Sequence, residues 1–138
     1  MKKKGDSPIL LLPFIAILII VLYLMAARVD GAELQTIPED AIKMKFTCYC
    51  PESCKGRITA SGEEVREGII AASSDHLYDW AEIYLMDGTF LGLFQCLDTG
   101  GNPGIQNGHV IDVWAPHLSK AKQLMRVTGG ECYVRFYP

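Results

Sequence analysis

The longest apolar stretch of the chain comes first. From Pro8 to Ala27 no residue is charged, and the run shows no polar face, so it predicts a membrane helix rather than a core helix. At about 1.5 Å per residue it just crosses a bilayer core of roughly 30 Å. Lys2, Lys3 and Lys4 precede it, which by the positive-inside rule places the N-terminus in the cytoplasm and the remainder outside. Residues 1–28 are therefore expected to be a single-pass cell-membrane anchor. Val29-Asp30-Gly31 before Ala32 offers small residues to a signal peptidase, and cleavage there would make the domain secreted. A polar linker follows over 29–41, with Pro38-Glu39-Asp40 in it.

At Ile42 the pattern changes to strict alternation: Ile-Lys-Met-Lys-Phe-Thr-Cys-Tyr to Tyr49 predicts a half-buried strand. A turn-rich segment, Cys50 to Gly56, and Thr59-Ala60-Ser61-Gly62 separate it from a short apolar β-type run, Gly68 to Ala72. Ser73 to Trp80 carries capping residues suited to a single helical turn and contains Asp75 and Asp79. Ala81 to Met86 and Thr89 to Leu97 flank Asp87-Gly88, a strong hairpin signal. Val110 to Trp114 predicts the next strand. Pro116 occupies the expected first position of a helix with an apolar stripe at Ala121, Leu124 and Met125, closed by Gly129-Gly130. Cys132 to Tyr137 alternates again. Residues 42–138 thus predict one mainly β domain, a small closed barrel with one or two short helices.

Composition narrows the function classes. The net charge is −3, and the chain after Ala32 is more acidic still, at −5, because the N-terminal segment removes four basic and two acidic residues. Such an acidic surface argues against nucleic acid as a partner. P-loop, Rossmann and zinc-protease motifs are absent, so no cofactor is expected. Cys48, Cys50 and Cys54 are close together but lack the C-x2-C pairs of zinc ribbons, and no histidine cluster adds a ligand. No metal is expected, and in an exported domain one local disulfide, or a bridge to Cys96 or Cys132, is the better expectation.

Two aspartates stand out because aspartate is depleted in strands. Asp98 ends the second hairpin strand and opens the loop Thr99-Gly100-Gly101-Asn102-Pro103-Gly104, whose glycines allow close approach of backbone to a ligand. Asp112 lies between Ile111 and Val113, on the same strand face as Val110 and Trp114. One reading is a structural carboxylate. The other is an acid kept partly protonated by burial beside Trp114 and by repulsion from Asp98.

Thr47 to Pro51, Thr59-Ala60-Ser61-Gly62, Gly68-Ile69-Ile70-Ala71, Asp98-Thr99-Gly100-Gly101, Ile111-Asp112-Val113-Trp114 and the terminal strand occur in an order that resembles the 3D domain, named for three aspartates. That domain is similar to the catalytic core of membrane-bound lytic transglycosylase A, to stationary-phase survival muralytic proteins and to RlpA-like double-psi β-barrels. The resemblance covers roughly Met44 to Tyr137. It implies a six-stranded double-psi barrel with a cleft for peptidoglycan glycan strands, and cleavage of the MurNAc-GlcNAc β-1,4 bond with a 1,6-anhydro product. It implies Asp112 as the catalytic acid and Asp98 as its supporting carboxylate. An ungapped match puts Ser73 at the first aspartate, and Asp75 takes that place after a two-residue shift. Thr59, Ser61, Thr99, Gly100, Gly101 and Trp114 are the implied substrate-binding positions. The alternative is a membrane-anchored wall-binding or assembly module that does not cut.

Overall fold

Alternation along the first strand sorts its side chains into two faces: Met44 and Phe46 are buried, whereas Lys43 and Lys45 are exposed. Six such strands close a barrel in the computed structural model, which describes residues 36–54, 56 and 58–138. The anchor expected over 1–28, and the linker as far as residue 35, lie outside the described residues. Among the described residues no helix is long and apolar enough to cross a membrane.

The strands are β1 (Ile42–Tyr49), β2 (Ile69–Ala72), β3 (Trp80–Tyr84), β4 (Phe90–Thr99), β5 (Val110–Trp114) and β6 (Glu131–Tyr137). Their order around the closed barrel is β1-β5-β2-β4-β3-β6. Two neighbouring pairs are parallel, β1 with β5 and β2 with β4, and the others are antiparallel. Among the described residues the fold is mainly β, with two helices, α1 (Pro103–Gln106) and α2 (Leu118–Thr128), and a 3-10 turn over Ser74–His76.

Met44, Phe46, Ile70, Ala72, Ile83, Ile111, Val113 and Val134 fill the interior, together with Ala81, Cys96 and Cys132. Phe46 is 1% exposed, and burial of such a side chain is worth about 1.5–3 kcal/mol. β2 is only four residues long and buried throughout, as expected of a strand with neighbours on both edges and cover on both faces.

The connections differ from the sequence expectation in instructive ways. The hairpin between β3 and β4 does turn at Asp87-Gly88, but over four residues: Gly88 N–H donates to Leu85 O at 3.0 Å, with Gly88 at φ 89°. Asp87 stabilises it by accepting from Thr89 N–H at 2.9 Å. Pro116 is not the first residue of α2. His117 caps that helix, its Nδ1 accepting from Lys120 N–H at 3.2 Å, and the proline precedes the cap. Gly129, at φ 64°, ends the helix in the left-handed conformation that favours glycine.

All five cysteines are free thiols rather than disulfides. Cys96 and Cys132 point into the core from β4 and β6, which are separated by β3. Two strand spacings, about 10 Å, exceed the roughly 7 Å Cα separation that a disulfide can bridge. Cys50 is enclosed with Ala115 and Ala121 beneath α2. Among the described residues no group of three or more His, Cys, Asp and Glu side chains is placed to hold a metal ion.

Candidate functional site

Because Met44 and Phe46 on β1 and Ile111 and Val113 on β5 face the core, the residues in the alternate phase face outward, among them Thr47 and Tyr49, Asp112 and Trp114. Parallel pairing puts Thr47 opposite Asp112 and Tyr49 opposite Trp114. On the other side of β5, antiparallel pairing puts Ala71 opposite Asp112. Ala71 also lies opposite Asp98 across the parallel β2–β4 pair. Thr47, Asp112, Ala71 and Asp98 therefore form one row across four strands, with a single methyl group between the two acids.

Asp98 reaches this row through an irregularity. Cys96 pairs with Ile70 and Asp98 with Ala71, so Leu97 is an extra residue in β4. Regular alternation from the inward Cys96 would turn Asp98 inward as well. The bulge turns it out, which is a common use of bulges at sites. The carbonyl of Leu97 is taken up by Ser61 N–H at 3.0 Å, which ties the Thr59-Ala60-Ser61-Gly62 loop over the end of β4.

The two carboxylates are held differently. Asp98 accepts from Ala60 N–H and Thr99 N–H, both at 2.9 Å to Oδ1, and from the Tyr49 hydroxyl at 3.4 Å to Oδ2. Asp112 accepts from one group among the described residues, the Thr47 hydroxyl at 2.8 Å to Oδ1. That hydroxyl also lies 3.0 Å from the Ile111 carbonyl, so its single proton has two acceptors. Burial raises the Asp112 carboxyl above the ordinary aspartate value, and the Asp98 charge adds to the rise, against a lowering from the Thr47 hydrogen bond. Burial, and then the charges of Asp98 and Asp112, also keep the Tyr49 phenol protonated well beyond the ordinary tyrosine range. One member of the pair is anchored by three donors; the other is half-buried and predisposed to carry a proton.

The remaining expected positions divide by what they touch. Thr59 is buried, and its hydroxyl is used within the loop, 2.8 Å from Ser61 Oγ and 3.0 Å from Glu63 O. Both side chains hold the loop in shape. Thr99 contributes its backbone N–H to Asp98. Gly100 packs so closely on Ile105 that a Cβ would collide with that side chain, whereas Gly101 faces open space. The Trp114 indole is 9% exposed and meets the Tyr49 ring edge-on, with centroids 5.1 Å apart at 65°. Asp75 is exposed in the 3-10 turn and makes no hydrogen bond or ion pair among the described residues.

Thr47 and Tyr49 are the members of this site that sequence reading left without a role. Their outward phase on β1 was legible from the alternation. Their placement beside Asp112 and Trp114 depends on parallel pairing across more than sixty residues of chain, which no local pattern encodes. A scan against protein-family models and a search of curated proteins found no match to this chain.

Proposed function

We propose that this domain cleaves the β-1,4 bond between N-acetylmuramic acid and N-acetylglucosamine in peptidoglycan, as a lytic transglycosylase, from a position outside the cytoplasmic membrane. The observation that carries the reading is the unequal pair on one barrel face: Asp112, half-buried with a single hydroxyl donor, near Asp98, which three donors hold. The strand order β1-β5-β2-β4-β3-β6, with its two parallel pairs, supports assignment to the double-psi barrels and hence to the 3D-domain group. The apolar run before the domain supports membrane anchoring.

One carboxyl suffices for this reaction. Protonated Asp112 donates to the leaving glycosidic oxygen; as carboxylate it then takes the proton of the muramoyl 6-hydroxyl, which attacks the anomeric carbon and closes the 1,6-anhydro ring. No water is consumed. Asp98 acts through charge, since an anion on the other side of Ala71 favours the protonated form of Asp112. Thr47 orients the acid, and Trp114 and Tyr49 supply an apolar wall.

The test is product analysis on purified cell wall. The full chain is expected to release anhydro-ended muropeptides, detected by mass spectrometry, and Asp112→Asn to reduce release at least a hundredfold with the fold intact. Release at the wild-type rate by that variant would refute the assignment. A second reading, a wall-binding module without turnover, draws support from Asp75, which stands apart from the other two acids in hydrogen bonding. Binding of wild-type protein to insoluble peptidoglycan without any anhydro product would favour it.

A further inference from the structure

Helix α2 carries Lys120, Lys122 and Arg126 and no acidic residue, although the chain as a whole is acidic. Among the described residues three other basic side chains have carboxylate partners, Lys43 with Glu131 at 3.1 Å, Arg135 with Asp40 at 3.0 Å and Arg66 with Glu63 at 3.5 Å, whereas Lys45 on β1 has none. Among the described residues no carboxylate forms such a pair with Lys122 or Arg126. Both line a groove of about 500 Å³ between α2 and β1, a size suited to a short peptide segment or a small molecule. Leu118 and Met125 give the groove apolar walls and are 43% and 36% exposed. Thr47 lines it as well, and the hydroxyl of Thr47 donates to Asp112. The groove therefore adjoins the candidate acid.

We propose that this groove binds the carboxylate-bearing peptide attached to the muramoyl sugar whose bond lies at Asp112. The identity of the ligand rests on the glycan-cleaving reading above; the site itself rests on the unpaired cations and their position. A glycan backbone of neutral sugars offers Lys122 and Arg126 hydroxyl and acetamido oxygens but no opposite charge. The peptide it carries has free carboxylates for the two cations and aliphatic side chains for Leu118 and Met125. Binding there would hold the muramoyl residue against Thr47 and Asp112, converting peptide contacts into orientation of the reacting bond.

The test measures binding of an uncut muramoyl-peptide disaccharide to the full chain in zwitterionic detergent, in the Asp112→Asn background so that no turnover intervenes. A second ligand is identical but has its peptide carboxylates amidated. Two exposed charge pairs predict that amidation weakens binding about three- to tenfold at low salt, with the difference shrinking as salt is added. Lys122→Gln combined with Arg126→Gln is expected to bind both ligands alike, at the level of the amidated one. Equal binding of the two ligands without these substitutions, or a preference that survives them, would overturn the proposal. So would absence of the preference together with a loss of adsorption to anionic-lipid vesicles in the double variant, which would assign the cations to lipid headgroups. Failure of the cleavage reading would look different: no anhydro product, with the carboxylate preference intact.

Discussion

At the residue scale the site is a contrast between two aspartates with the same side chain and different surroundings. Among the described residues Asp98 has three hydrogen-bond donors, while Asp112 has one and is partly desolvated. The direction of the Asp112 shift sets the sign of its pH effects. Between the ordinary aspartate value of 3.8 and its raised folded value, the native state binds more protons than the unfolded chain. Its contribution is thus fully present below the unfolded value and is lost as pH rises through the folded one. Asp112→Asn, which keeps an acceptor for Thr47 but cannot ionise, is expected to melt higher than wild type at pH 7, with the gap closing towards pH 4. Scanning calorimetry across that range checks this, and a lower melting temperature at pH 7 would contradict it. Cleavage should fall over the same interval as pH rises, because the form that donates the proton disappears.

Among the elements, β4 and the loop after it decide the geometry. The Leu97 bulge turns Asp98 outward, and the chain then passes tightly beneath α1, where Gly100 meets Ile105. Gly100→Ala must displace the Ile105 side chain or the backbone and is expected to cost about 1–3 kcal/mol in urea unfolding. Gly101→Ala adds a methyl to open space and should stay within about 0.5 kcal/mol. Equal effects would mean that the loop is not held as described. Sequence reading valued both glycines for ligand approach. The structure gives Gly100 a packing role, and leaves Gly101 as the position where a ligand can come close. The helices show the same division: the buried Ala121, the half-buried Leu124 and the glycine stop of α2 were legible locally, but the exposure of Met125, expected on the same stripe, and the cap were not. A histidine cap uses a ring nitrogen and is not among the residue types that ordinarily signal a helix start.

For the molecule as a whole, the closed barrel makes core access an all-or-none matter. Cys96 and Cys132 lie within it, and burial pushes both thiols up to about 12. Neither should be alkylated by iodoacetamide at pH 7.5 until the barrel unfolds in guanidinium, as read by mass spectrometry of labelled peptides. Labelling of either at native conditions, at the rate of the half-buried Cys54, would show that β4 or β6 detaches separately.

The local pattern determined by itself that this chain makes short strands, which side of β1 and of β6 is buried, where the hairpin turns, and that an aspartate at position 112 stands out from its strand. Those are local properties, set by a two-residue period and by turn chemistry. Only the tertiary structure decided that β1 lies parallel to β5 and β2 parallel to β4, because such pairings join segments far apart in the chain. From that order follow Thr47 beside Asp112, Ala71 between the two acids, and the bulge that brings Asp98 to the same face. The three-donor anchoring of Asp98 and the desolvation of Asp112 depend on those neighbours, so the chemical difference between two identical side chains belongs to the fold.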